Sequence, residues 1–433
     1  MKHPYQLGGL WRQAWLLLLA LAIPRAQAQT ATTIYYTLGS STATLDALAS
    51  APAAGGTSTS LASGSANFSQ PTDVVLDKAN NYLYMADQYV GTGGIYRYTT
   101  GGTGRTLVVA GRPNTTYNGL AFDAAANKLY FTQAGASAAS AALKVVSLGG
   151  TLPATATSVA TLPTTFTRPG DLALDATAGS LYVADQHTAG SIIKVIISSG
   201  AVTTPVAGVA NATYNGLALD ATNGRLYFTQ GSTDPTLDAL KLLTLSTSAV
   251  TTLASGSANF SQPSDLAFEP GAAGSAGQLY LADQYVATGP LLRYTLSASS
   301  GVVSASGRTA LVAATAGAAY SGLVLSLSAT PTVTTAAATG TTTTSAVLGG
   351  NVTADGGASV TERGVVYVAG TGTPTTSNTK ALVATSGIVI GMAFSGTVSG
   401  LTAGTQYTVR AYATNSVGTS YGNAFSFTTA APV

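Results

Sequence analysis

The chain has 433 residues, no cysteine, two histidines and only 8% charged residues, with 18 basic side chains against 16 acidic ones. The lack of cysteine excludes disulfide staples and thiolate metal sites, and so small a charge imbalance gives nucleic acid or an anionic membrane nothing to hold. The length is ample for two domains of ordinary size, so stability must come from apolar burial.

Lys2 and Arg12 precede an apolar run over 14–23, and the small-residue site Ala26-Gln27-Ala28 follows. That order reads as an export signal spanning 1–28 and cleaved after Ala28. The run is too short to span a bilayer, so no membrane insertion is expected. Loss of Lys2, Arg12 and Arg25 takes the basic count from 18 to 15 and the net charge from +2 to −1. The expected product is secreted or held in the cell envelope.

From about residue 30 to 329 one unit recurs in two alternating forms. The odd form starts with Pro-x-Asp, as in "PTDVVLDKANNYLYMADQY" from Pro71, "PGDLALDATAGSLYVADQH" from Pro169 and "PSDLAFEP" from Pro263. The even form starts with Tyr: "YNGLAFDAAANKLYFTQ" from Tyr117, "YNGLALDATNGRLYFTQ" from Tyr214 and "YSGLVLS" from Tyr320. Alternating apolar positions broken by Asp, Asn, Ala and Gly predict short antiparallel strands. Asp73 to Asp171 is 98 residues and Asp171 to Asp265 is 94, so each unit is about 48 residues long. Four short strands at that period describe a β-propeller blade.

The pattern P-x-D-L-A-L-D…G-x-L-Y-V-A-D…I-x-K-V resembles the NHL repeat and, more loosely, the YWTD repeat of six-bladed propellers. The resemblance implies an all-β six-bladed propeller over 29–329, its inner strands starting at Asp73, Gly119, Asp171, Gly216, Asp265 and Gly322. At the N-terminus "TIYYTL" resembles a third strand and "TSLASG" a fourth. The chain's start is therefore expected to complete the last blade. That blade lacks an evident counterpart of "LYFTQ", so it is expected to be one strand short or to use a divergent strand near "LSAT".

Beyond residue 330 the strands become shorter, evenly spaced and Thr-rich, as in a β-sandwich. "GLTAGTQYTVRAYATNSVG" resembles the fibronectin type III domain, with Tyr407 at the tyrosine-corner position. The second domain is therefore expected over 330–433.

Several residues are expected to be architectural. His187 fills the slot that Tyr89 and Tyr285 hold in sister units, so it reads as a variant of a repeated aromatic. Asp77, Asp123, Asp175 and Asp220, with Glu269 standing in, end their strands before a tight turn and suit Asx turns. Asp87, Asp185 and Asp283 repeat in every odd unit and read as turn or inter-blade contacts. The repeated Tyr and Phe fall at strand period and read as core. Five N-x-S/T triplets, among them Asn67-Phe68-Ser69 and Asn114-Thr115-Thr116, matter only where the producing cell glycosylates them.

The candidate site lies at the starts of the inner strands, which border a propeller's channel. Asp73, Asp171 and Asp265 should converge there with pseudo-threefold symmetry, with Asn118, Asn215 and Ser321 between them. Oxygens gathered round one axis suit Ca²⁺ or the hydroxyls of a sugar, or else tie strand ends to neighbouring blades. The strings "NGLAFD" and "NGLALD" are similar to strands of gluconolactonase- and paraoxonase-like propellers, where an Asn before Gly reaches the channel metal. That resemblance implies Asn118 and Asn215 as metal ligands beside the three aspartates. The expected function is non-enzymatic binding of an extracellular glycan or protein. A Ca²⁺-dependent hydrolase and a structural surface or adhesion component are the alternatives.

Overall fold

The computed structural model describes residues 29–432 apart from 41–45, 65–69, 89–92, 136–140, 233, 235, 258, 261, 272–275, 285–290, 300–301 and 313–317. The expected export signal over 1–28, Tyr89, Tyr285 and Asn67-Phe68-Ser69 lie outside the described residues. All regular structure among the described residues is β-strand, and no helix is long and apolar enough to cross a membrane.

Residues 29–329 form six antiparallel sheets of four strands each. Sheets I to V are meanders in chain order, covering 71–109, 115–160, 169–206, 212–255 and 263–312. Their innermost strands are Pro71–Asp77, Thr115–Asp123, Pro169–Asp175, Ala212–Asp220 and Pro263–Glu269. The turn after each inner strand needs a residue in the left-handed region. Asn81, Asn127, Gly179 and Gly224 supply it, with φ of 57°, 50°, 61° and 62°; Asn and Gly tolerate that conformation best.

The inner strand of each sheet lies against that of the next, from I through VI and back to I. Six apolar clusters fill the seams. Tyr84, Ile95 and Val108 of sheet I pack on Tyr117, Leu120 and Phe131 of sheet II, and Leu48 of sheet VI packs on Val74, Leu83 and Met85 of sheet I. This last cluster closes the circle with the chain's own beginning. Leu48 is fully buried, a gain of roughly 1.5–3 kcal/mol for one such side chain, and no inner edge is left open to recruit another strand. Four-stranded sheets seamed face to face round a ring fit the blades of a β-propeller.

Sheet VI corrects the expected strand assignment. Its order is Ala318–Ala329, Gln29–Ser40, Ala47–Pro52 and Thr59–Ser63. "TIYYTL" is thus the second strand, paired with the inner strand through Ile34 opposite Leu325 and Tyr36 opposite Leu323, and the third strand is "ALASAP". No strand is missing, because the counterpart of "LYFT" is "IYYT" at the other end of the chain. Tyr36 stacks on Tyr320 with ring centroids 5.4 Å apart, where Phe131 meets Tyr117 at 5.3 Å and Phe228 meets Tyr214 at 5.5 Å. Thr37 accepts a bond from Gly322 N at 2.7 Å, as Thr132 does from Gly119 N and Thr229 from Gly216 N. The strand is supplied from the N-terminus, not from the chain downstream of Tyr320.

Residues 332–428 build a three-stranded sheet (Thr332–Thr335, Ser345–Ala354 and Ala393–Ser399) facing a five-stranded one. Val333, Leu348, Val365, Leu401, Val409 and Ala411 fill the space between them. Tyr407 Oη accepts a bond from Thr402 N at 2.9 Å, pinning the corner five residues upstream. This unit meets the ring at the far ends of inner strands I and VI. Asn415 Nδ2 donates to Ala329 O (2.7 Å) and Asp355 O (2.8 Å), and Ala329 N donates to Gly356 O (2.8 Å). Lys78, which replaces the Ala found at 124, 176 and 221, donates to Leu327 O and to Ser328 Oγ. Burial lowers its pKa, an effect opposed by Asp355.

Candidate ligand-binding site

The opposite ends of the inner strands surround a cavity of about 650 Å³. All six residues singled out in the sequence, Asp73, Asn118, Asp171, Asn215, Asp265 and Ser321, line it. The pseudo-threefold pattern of the repeats is thus a real arrangement in space.

The aspartates stitch the ring. Asp73 Oδ1 accepts from Val74 N and its Oδ2 from Leu120 N of sheet II, both at 2.6 Å. Asp171 repeats this with Leu172 N and Leu217 N of sheet IV, both at 2.6 Å. Asp265 does so with Leu266 N at 2.7 Å and Leu323 N of sheet VI at 2.6 Å. Each carboxylate thus ties an odd sheet to the next even one through one short bond, while its other oxygen accepts the next N–H of its own strand. Even-to-odd seams use other groups: Asn118 Nδ2 donates to Pro169 O at 2.8 Å and Asn215 Nδ2 to Pro263 O at 2.9 Å. At Gly216 a Cβ would stand 2.4 Å from Asp265 Cα, so this seam closes only without a side chain.

The three carboxyls also sense one another. Burial pushes the pKa of Asp73 well up and the charge of Asp171 adds to it, against the pull of the two backbone bonds. Asp265 is raised by burial, then by the charges of Asp171 and Asp73. Asp171 is pushed up to about 7 by burial, opposed by the N–H groups of Leu217 and Leu172. Carboxyls this close disfavour full ionisation of all three.

Ca²⁺ is a poor fit to this donor set. Both oxygens of every hub aspartate already accept backbone N–H groups. Asn118, whose Oδ1 accepts from Gln88 Nε2 at 2.8 Å, is engaged at both ends. Among the described residues no group of three or more His, Cys, Asp or Glu side chains is arranged to hold a metal ion.

The sequence reading passed over the amides. Gln70 and Gln262, just before the odd-sheet prolines, and Gln88, Gln186 and Gln284, just after the "AD" of the second strand, all line the cavity. Backbone pairing explains their convergence: Gln88 N donates to Gln70 O, Gln186 N to Arg168 O and Gln284 N to Gln262 O, at 2.9–3.0 Å. The signal was present as a Gln following every "AD" in the odd units. The neighbouring Asp185 is the more conspicuous side chain, but its Oδ1 is occupied in capping Arg168 N and His187 N at 3.0 Å each. His187 is exposed and is not among the cavity residues. Among the described residues the lining contains no aromatic ring, and its only ionisable side chains are the three aspartates and Arg168.

At the strands' other ends the turn aspartates behave as expected. Asp77, Asp123, Asp175 and Asp220 each accept the N–H three residues on, at 2.9–3.1 Å. Glu269 departs from them. It accepts Ala31 N at 3.0 Å and the Tyr280 hydroxyl at 2.6 Å, tying sheet V to the N-terminal strand.

No family model matches the chain, and no curated protein matches it in sequence. Among solved structures it is similar to a nidogen/laminin complex, with 13% identity over 67% of this chain and 98% of that one and a TM-score of 0.49. It is also similar to a protein from Lactobacillus plantarum, with 15% identity over 69% of this chain and 100% of that one and a TM-score of 0.47. No residue's role is carried over from either.

Proposed function

We propose that this chain is an exported bacterial binding protein without catalytic activity. In this reading 1–28 is the export signal, 29–329 an NHL-like six-bladed propeller and 330–433 a fibronectin type III-like spacer. The ligand is a polyhydroxylated molecule, a glycan, held in the cavity at the strand starts. One observation carries this reading: a cavity of about 650 Å³ ringed by Gln, Asn, Ser and Thr, a size typical of small-ligand sites. Side-chain amides both donate and accept, which matches the paired character of sugar hydroxyls. Hydrolysis finds less support, because a general base must reach a substrate proton and the only carboxylates present already bond backbone N–H groups.

The test is calorimetric titration of the chain from Gln29 onward with cello-, xylo- and galacto-oligosaccharides, and separately with Ca²⁺. Binding of at least one oligosaccharide, weakened about tenfold by Gln284→Ala, is the expected outcome, with no heat from Ca²⁺. Absence of any oligosaccharide binding overturns the glycan reading. Saturable one-to-one Ca²⁺ binding that raises the melting temperature, and is lost in Asp171→Ala, restores the hydrolase reading.

A further inference from the structure

The cavity's threefold pattern is broken in one sector. Where the other odd sheets begin Gln-Pro-Thr-Asp (from Gln70) and Gln-Pro-Ser-Asp (from Gln262), sheet III begins Arg-Pro-Gly-Asp (from Arg168). Two changes result. Among the described residues the lining gains its single cation, Arg168, which is exposed. It also loses a hydroxyl that elsewhere serves the ring: Thr72 Oγ1 donates to Tyr117 O at 3.0 Å and Ser264 Oγ to Tyr320 O at 2.8 Å. At Gly170 nothing replaces it, and Gln186 moves into the space, its Cγ 2.7 Å from where a Cβ would stand. Thr188 lines the same sector.

Among the described residues the guanidinium of Arg168 has no hydrogen-bond or ion-pair partner. The ion pairs among the described residues are Arg225–Asp220 and Lys380–Glu362, and Arg168 bonds through its backbone, to Asp185 and to Gln186. It is not bonded to the hub carboxylates below it, whose oxygens point at backbone N–H groups. A free guanidinium at the rim of a cavity, beside an amide and a hydroxyl, is a planar fork for a carboxylate with a neighbouring hydroxyl.

We infer that the cavity recognises an acidic sugar, a hexuronate residue, with Arg168 gripping its carboxylate and Gln186 and Thr188 contacting the adjacent hydroxyls. This rests on the glycan reading of the cavity and narrows it to a ligand class. The hub aspartates do not oppose it strongly, since both oxygens of each already accept backbone N–H groups and burial with mutual repulsion raises their pKa values.

The experiment uses the chain from Gln29 onward and oligomers of galacturonate, glucuronate and mannuronate, each paired with its methyl ester. The wild type should prefer at least one acid over its ester by about tenfold. Arg168→Gln installs the residue of the sister sheets and should abolish that preference without moving the melting temperature. Arg168→Lys, which keeps the charge but not the fork, should retain part of it. An acid preference undiminished in Arg168→Gln, or none in the wild type, overturns the assignment. In either case, binding of neutral oligosaccharides would leave the glycan reading standing. Failure of acids, esters and neutral oligosaccharides alike overturns both.

Discussion

The two ends of the inner strands use the same side chain for different ends. At the cavity end Asp73, Asp171 and Asp265 reach N–H groups 46 to 58 residues away on the neighbouring sheet. At the turn end Asp77, Asp123, Asp175 and Asp220 reach only the N–H three residues on. The first set is crowded together, and its bonds are part of ring closure. The second set is local and closes turns that Asn and Gly already favour. Burial does not separate them, since Asp77 and Asp220 are as buried as Asp73 and Asp265; the sequence distance an aspartate spans does.

The largest expected effect tests this contrast directly. Asp265→Ala leaves the buried N–H groups of Leu266 and Leu323 without acceptors and should cost about 2–5 kcal/mol, seen as a lowered urea midpoint. Asp175→Ala, at the turn end, should cost about 1 kcal/mol or less. Equal losses would erase the distinction. Next comes Gly216→Ala, which pushes a methyl group onto the Asp265 backbone; about 1–3 kcal/mol is expected. The same change at the turn end, Gly224→Ala, meets no atom within 4 Å and should cost about 1 kcal/mol through its left-handed φ alone.

A further effect is on pH dependence. An unfolded aspartate titrates near 3.9, whereas Asp171 in the folded chain is raised to about 7. The fold therefore binds this proton more tightly than the unfolded chain does. Its stabilising contribution is complete below about pH 4 and is lost as pH rises through about 7. Asp238, raised to about 6 chiefly by burial, acts in the same direction. The melting temperature should fall between pH 5 and pH 8, and Asp171→Asn should flatten that fall. A melting temperature that rises across this range would show the hub carboxyls to be fully ionised.

By itself the sequence determined the repeating unit and the position of the strand starts, because strand period, turn residues and repeat length are local or near-local properties. It also brought six of the cavity residues to one place, since identical positions in a closed repeat must share a radius and a height. Only the tertiary structure decided how the ring closes. The second strand of sheet VI lies almost three hundred residues from its partner, and no local pattern encodes a pairing between two chain ends. Tertiary structure likewise decided which polar atoms are occupied: a carboxylate written in the sequence looks free until the backbone of the next sheet arrives with its N–H. The converging glutamines and Arg168 came into view only then, because strand pairing between distant segments brings them to one cavity.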